Sequence, residues 1–262
     1  MNKHLIITVA LTSSLTAFMA TAADLRFDNG GTGDNWATAA NWTTDTLPGA
    51  DDNVRFNFGE ATGTLDSDVG TINGLQIGVD EGGGLTVNTG AILVSDGGLF
   101  SGLGLGESNT SFLTMNGGSL RFNANYFSVG VAASNSQTAT LTVNDGTFRV
   151  NNAFFHDVNN NNAGSTLSTF LNGGLMDVDA FTLNSGVFTI GWAAELIIRS
   201  GDVTSKIATY VGDGLMVTNG GTITAVVGET GYTYVSVVPE PSTYALISGL
   251  LAMTSVMVRR RT

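Results

Sequence analysis

The chain has 262 residues, a formal net charge of −12 at pH 7 and no cysteine. The acidic balance argues against a nucleic acid or an anionic membrane surface as partner, because both are bound by basic faces. The lack of cysteine excludes a disulfide framework, a thiolate metal site and a cysteine nucleophile. Stability must therefore come from apolar burial and backbone hydrogen bonds.

Residues 1–22 have the three-part layout of a secretory signal peptide. Lys3 gives a positive start, residues 5–20 are mostly apolar, and Ala20-Thr21-Ala22 supplies the small residues that a signal peptidase requires. The apolar stretch is short for a membrane span, which needs about 20 residues. We predict cleavage after residue 22 or 23 and export of the remainder, with an uncleaved N-terminal anchor as the alternative.

Residues 23–84 are expected to form an N-terminal cap and the first, irregular coils of the body. Trp36 and Trp42 are predicted to cover the open end of the fold, where core and sheet edge would otherwise be exposed. The segment Gly30-Gly-Thr-Gly33-Asp34 approaches the calcium-binding repeat Gly-Gly-x-Gly-x-Asp but is one residue short. Calcium is the ion that this pattern favours, with carboxylate ligands drawn from Asp28, Asp34, Asp51 and Asp52.

A motif repeats every 28 residues from Leu85 onward. It reads Leu85-Thr-Val-Asn88-Thr-Gly90, then Leu113-Thr-Met-Asn116-Gly-Gly118, then Leu141-Thr-Val-Asn144-Asp-Gly146, and Asn172-Gly-Gly174 continues the series. The spacing then shortens, and the last copy is Asn219-Gly-Gly221. Apolar and polar residues alternate within each unit, which is typical of strands with one buried face, and Gly and Asn between them indicate turns.

Such a unit cannot bury its own apolar face, so the units must stack on one another. We predict an all-β fold, a right-handed parallel β-helix or β-solenoid over residues 85–236, with an antiparallel β-sandwich as the alternative. No amphipathic helix is expected between residues 24 and 238. Equivalent asparagines would form a hydrogen-bonded ladder, and the glycines that follow would turn the chain at positive φ. The ladder residues are Asn88, Gly90, Asn116, Gly118, Asn144, Gly146, Asn172 and Gly174.

The body offers little catalytic chemistry, and no catalytic residue is predicted. His156, its only histidine, is interpreted as a solvated turn residue, and no Gly-x-Ser-x-Gly motif presents a serine. Asp177 and Asp179 alternate on one strand face, as do Asp66 and Asp68, and a glycosidase uses two such carboxylates. A lyase would also need a nearby base, and the basic residues of the body are scattered. We interpret these acids as solvated.

Residues 237–262 form a second targeting signal. Pro239-Glu240-Pro241 precedes an apolar stretch, 242–258, predicted to be a transmembrane helix, and Arg259, Arg260 and Arg261 follow it. The positive-inside rule leaves the arginines in the cytoplasm and the body outside. These features resemble the PEP-CTERM sorting signal, also called the ice-binding protein C-terminal domain. The resemblance implies an exosortase that cuts near the Pro-Glu-Pro motif; a plain C-terminal anchor is the alternative.

The body itself resembles autotransporter passenger domains and the solenoids of other PEP-CTERM proteins. The resemblance rests on Trp36, Asn41-Trp42, Pro48, Asp51-Asp52 and Val54-Arg-Phe56, and on the glycine-rich repeats. It implies a repetitive β-solenoid rather than a particular activity.

These observations predict an exported, non-enzymatic protein of the cell surface or the exopolysaccharide matrix. Its expected partners are signal peptidase, an exosortase-type sorting enzyme, the inner membrane while the tail is attached, and exopolysaccharide. One alternative is a carbohydrate-active enzyme on a β-helix. Another is a polysaccharide- or ice-binding module, which aligned threonines on a flat face would favour, such as Thr86, Thr114 and Thr142.

Overall fold

The computed structural model describes residues 23–95, 100–106, 110–123, 126–131, 136–159 and 164–240. The signal peptide 1–22, Pro241, the apolar stretch 242–258 and the arginine cluster 259–261 lie outside the described residues, and what was predicted for them stays a prediction. In the described part of the chain, no helix has the length and apolar character needed to cross a bilayer.

Strands dominate the described residues. In chain order they are β1 (Asp24–Arg26), β2 (Asn53–Phe56), β3 (Thr62–Leu65), β4 (Gly70–Ile72), β5 (Gly74–Ile77), β6 (Gly83–Val87), β7 (Ala91–Val94), β8 (Ser101–Leu103), β9 (Thr110–Met115), β10 (Ser119–Phe122), β11 (Phe127–Val129), β12 (Thr138–Val143), β13 (Thr147–His156), β14 (Thr166–Leu183), β15 (Val187–Ile198), β16 (Met216–Thr218), β17 (Thr222–Val227) and β18 (Thr233–Val238). A 3₁₀ turn at Ala39–Asn41 and one α-helix, α1 (Thr204–Gly212), interrupt them.

Strands of successive turns pair in parallel, so that the sheet curls into a coil with three faces. The first face runs from β1 through β2, β5, β8 and β11 into the later parts of β13 and β14. The second face runs from β3 through β6, β9, β12, β14 and β15 to β16. The third runs from β4 through β7, β10, β13 and β14 to β15. This parallel pairing confirms the all-β repetitive fold and excludes the antiparallel sandwich.

The pairing register reproduces the repeat seen in the sequence. Leu85 pairs with Leu113 and Leu113 with Leu141, and asparagines 28 residues apart bond to each other in the central turns. The turns are shorter toward both ends, since Asn88 contacts Asp66 at a separation of 22 residues and Ser168 pairs with Val187. Parallel pairing already joins β1 to β2 and β2 to β5, so the parallel core of the coil begins well before residue 85.

Inward-pointing residues stack into apolar columns along the axis. Phe127, Phe154 and Phe181 are fully or almost fully buried, with ring centroids 6.3 Å and 5.6 Å apart in successive turns. Burial of each such side chain stabilises the fold by roughly 1.5–3 kcal/mol. Because every turn covers the next, no single turn has a complete core of its own.

The N-terminal end is closed by aromatic side chains. Trp36 and Trp42 are both 1% exposed and pack against Phe27 and Phe56. The indole Nε1 of Trp42 donates to the backbone oxygen of Trp36 at 2.9 Å, and Trp36 N donates to Thr64 O at 2.8 Å. The segment thus lies beneath the first turn, as the capping interpretation of the two tryptophans requires.

The C-terminal end contains a helix, so the expectation of none in this region was wrong. Ile207 and Tyr210 of α1 are buried against the last turn. The Tyr210 hydroxyl accepts from Leu183 N at 3.1 Å, and Lys206 Nζ donates to Phe181 O at 2.7 Å. The helix therefore satisfies backbone groups at the final edge of the first face, which would otherwise be free to pair with another chain.

The third face ends differently. There β18 pairs antiparallel with β15, and β17 pairs antiparallel with β18. Parallel stacking consequently stops at β16, and the motif at Asn219-Gly-Gly221 leads into a hairpin rather than into another turn of the coil.

Candidate functional site

The repeated asparagines lie in one column at the corner between the second and third faces. Asn116 Nδ2 donates to Asn88 Oδ1, Asn144 Nδ2 to Asn116 Oδ1, and Asn172 Nδ2 to Asn144 Oδ1, each at 2.9 Å. Every amide therefore donates toward the N-terminal end. The column forms a continuous polar seam along the rod.

The seam ends on a carboxylate that the sequence did not indicate. Asn88 Nδ2 donates to Asp66 Oδ1 at 3.0 Å, and Asn35 Nδ2 donates to Asp66 Oδ2 at 3.3 Å. A carboxylate only accepts hydrogen bonds, so it suits the end of a column whose amides all donate the same way. Asp66 is exposed, as its interpretation as a solvated acid requires, and both carboxylate oxygens also accept hydrogen bonds.

The glycines beside the asparagines let the turns approach closely. Gly118 and Gly146 have φ values of +74° and +89°, and a Cβ on Gly146 would lie 2.5 Å from the carbonyl oxygen of Gly118 below it. Gly90 and Gly174 share the positive φ and the same close contact with the turn beneath. Only glycine meets both requirements without strain.

Replacing an asparagine of the seam by alanine should lower the unfolding free energy more in the middle of the seam than at its C-terminal end. Asn116→Ala removes two hydrogen bonds, whereas Asn172→Ala removes one. At about 1 kcal/mol per bond, we expect losses in unfolding free energy of about 2 and about 1 kcal/mol, lowered by water that replaces part of each bond. Chemical denaturation of the two variants measures the difference; equal losses would show that the seam does not act as a connected column.

The third face gathers arginines and aspartates that are distant in sequence. Arg199 Nε lies 2.8 Å from Asp177 Oδ1, Arg199 Nη1 lies 3.1 Å from Asp179 Oδ1, and Arg149 Nε lies 3.6 Å from Asp177 Oδ2. The Asp177 side chain is only 14% exposed. Two sequence interpretations are corrected here: Asp177 is not a solvated acid, and basic residues that look scattered converge on it.

Hydrogen bonds join this ion-pair cluster to two further asparagines, Asn151 and Asn123. Arg149 Nε donates to Asn151 Oδ1 at 2.8 Å, and Asn151 Nδ2 donates to Asn123 Oδ1 at 2.8 Å. Asp177 and Asp179 are therefore held in ion pairs within a packed polar network. A glycosidase instead presents its two carboxylates to a substrate across a cleft.

His156 is buried, so its interpretation as a solvated turn residue was wrong. It ends β13 and occupies an inward column between Val129 and Leu183. Nδ1 lies 3.2 Å from Ser185 O, which can only accept, so Nδ1 carries the proton and Nε2 accepts from the Thr169 hydroxyl at 2.6 Å. Burial lowers the pKa of His156 from 6.5 to about 4. The neutral imidazole is thus a structural partner of Thr169.

The four calcium candidates do not converge. Asp28 accepts from Gly30 N, Asp34 from the Thr64 hydroxyl and Asp52 from Gly49 N, while Asp51 is exposed. Among the residues that the structure describes, no three histidine or acidic side chains form a group suited to a metal ion. Calcium binding stays a prediction for this segment.

The sorting motif begins directly after the last strand. Val238 is the final paired residue of β18, Pro239 follows it, and Glu240 is exposed. Proline has no N–H to donate, which suits the end of a strand. Pro241 lies outside the described residues.

Threonines form two outward columns on the second face. One column contains Thr64, Thr86, Thr114 and Thr142 and ends at Phe170, and the other contains Thr110, Thr138 and Thr166. Sequence reasoning identified only part of the first column. The second column was not identified from the sequence; the pairing register places its three threonines beside one another.

The chain matches no protein-family model, and no curated protein or solved structure shows significant similarity to it.

Proposed function

We propose that the protein is an exported, non-enzymatic component of the cell surface or of an exopolysaccharide matrix. Its body is a right-handed β-solenoid, preceded by a signal peptide and followed by a transmembrane sorting tail that an exosortase-type enzyme removes. The N-terminal signal, the Pro-Glu-Pro motif and the terminal arginines support the route. The repetitive fold supports a structural rather than a catalytic role.

The observation that carries this proposal is the position of the motif relative to the fold. Val238 pairs with Thr222 in the last hairpin, and Pro239 follows with no residue between. Cleavage at residues 239–241 would leave every paired strand in the body and remove only the tail. A sorting enzyme could then release a finished fold without disturbing its stability.

The test is the intact mass and the cell fraction of the native protein, with and without the host's exosortase. We expect a mature mass that ends near Pro239, with the protein in the outer envelope or the medium, and retention of the tail when the enzyme is absent. A mass that still includes Arg259–Arg261 in the normal host, with the protein in the inner membrane, would reduce the tail to a plain anchor and remove the support for a matrix role.

A second candidate is a binding module for polysaccharide or ice, favoured by the two threonine columns on the second face. Parallel stacking spaces their hydroxyls about 4.8 Å apart along the axis, which is a regular array for a repetitive ligand. Threonine is also a good outward residue on any strand, so the columns alone favour this candidate less. Ice-crystal shaping in the presence of the purified chain would distinguish it from the structural role.

A further inference from the structure

The third face holds an arginine that takes no part in its ion-pair network. Arg121 of β10 is exposed, and it has no hydrogen bond or ion pair to any of the residues that the structure describes. Arg149 pairs with Arg121 in the next turn, and its Nε lies 3.6 Å from Asp177 Oδ2, so the charge of Arg149 is balanced by an acid. In a chain of net charge −12, an arginine with no acidic partner among the described residues is a local exception.

Arg121 borders a cavity of about 380 Å³ near the N-terminal end of the third face. Asp68, also exposed, borders the same cavity without lying in ion-pair distance of any described basic side chain. The cavity is also lined by two hydroxyl-bearing residues, Thr71 and Ser119, and by apolar residues that include Ala91 and Leu93. The cavity is wide open to solvent, and its lining offers one cation, one anion, two hydroxyls and apolar side chains.

This lining fits a sugar ring that carries one carboxylate. A guanidinium binds a carboxylate through two parallel hydrogen bonds, and a single arginine balances a single negative charge. Asp68 can accept hydrogen bonds from sugar hydroxyls, and it would repel a dianion such as a phosphate monoester. The side chains of Ala91 and Leu93 can contact the C–H face of the ring.

We propose that this cavity binds a uronic acid unit of an acidic polysaccharide. The inference rests on the proposed function, which brings the body into contact with such polymers. Because the chain as a whole is acidic, it does not attract a polyanion generally. Among the described residues, Arg121 is the exposed arginine without an ion pair or hydrogen bond, so recognition is assigned to the cavity that it borders.

The test is calorimetric titration of the full chain, in mild detergent, with tri-galacturonate and with the same trisaccharide after reduction of its carboxylates to alcohols. We expect binding of the acid form and at least tenfold weaker binding of the reduced form. Arg121→Gln should lower affinity for the acid at least tenfold, because a charge-assisted hydrogen bond is lost. Arg121→Lys keeps the positive charge but cannot form two parallel hydrogen bonds with a carboxylate. We expect its affinity for the acid form to lie between that of the parent and that of Arg121→Gln.

The matched control is Arg26→Gln, which removes the same charge from β1 on the first face and should leave affinity unchanged. Arg121 is exposed, so thermal melting of its variants should match that of the parent and show that the fold is intact. Equal binding of the acid and reduced sugars, or equal binding by the parent and Arg121→Gln, would overturn the site. Neither outcome would change the result of the sorting experiment, and a negative sorting experiment would not change the affinities measured by calorimetry. The two proposals can therefore fail separately.

Discussion

Lowering the pH from 7 to 4 should destabilise the protein by about 3 kcal/mol through His156 alone. The imidazole has a pKa of about 4 in the fold and an ordinary value of 6.5 when unfolded. Between these values the unfolded chain binds the proton and the folded chain does not, so stability is fully present above pH 6.5 and is lost as the pH falls toward 4. The unfolding free energy of the full chain, measured with denaturant at pH 7, 5.5 and 4, reports this loss.

The control replaces both members of the buried pair. His156→Leu with Thr169→Val gives this turn apolar side chains such as neighbouring turns carry at the paired positions Leu183 and Leu141. Both variants remove the donor to Ser185 O, but His156→Leu alone also leaves the Thr169 hydroxyl unpaired and should be about 1–3 kcal/mol less stable than the double variant at pH 7. Carboxylates titrate in both proteins, so the difference between them isolates the histidine. Identical pH profiles for the parent and the double variant would contradict the assignment.

Gly146→Ala should destabilise the fold by about 3 kcal/mol or more. A left-handed backbone costs an alanine about 1–2 kcal/mol, and overpacking adds about 1–3 kcal/mol. Both apply here, since φ is +89° and the new Cβ would lie 2.5 Å from the carbonyl oxygen of Gly118. The shift in denaturation midpoint, at unchanged slope, measures the effect.

Gly231→Ala separates the two contributions. Gly231 lies in the turn between β17 and β18, with φ at +78°, and an added Cβ would have no neighbouring atom within 4 Å. We expect this variant to lose only the backbone contribution, about 1–2 kcal/mol. If Gly146→Ala and Gly231→Ala lose the same stability, the close approach of the turns contributes nothing.

Equal spacing is what made part of this fold predictable from sequence. Residues 28 apart occupy the same register, so Asn88, Asn116, Asn144 and Asn172 could be assigned to one column before any pairing was known. Asp66 was missed because the turn that separates it from Asn88 has 22 residues. Its position after Leu65, matching that of Asn88 after Val87, is the signal that could have identified it.

The arginine cluster and the buried histidine depend on irregularities that spacing does not encode. Asp177 and Arg199 meet across the shortened turn between β14 and β15, where pairing shifts at Gly173. His156 lies 27 residues from each of its register partners, Val129 and Leu183, since pairing shifts by one residue between Val150 and Ala153. Helix α1 buries only Ile207 and Tyr210, which is too few positions to define a helical period.

The one-way direction of the asparagine seam makes the length of the rod adjustable. Each asparagine donates to the turn before it and accepts from the turn after it, so an inserted 28-residue unit would bring its own donor and acceptor. Asp66 and the aromatic cap at one end, and α1 with the β17–β18 hairpin at the other, would meet the same neighbours as before. Duplication of one unit within a gene can therefore lengthen the coil in steps of about 4.8 Å, with neither end of the fold redesigned.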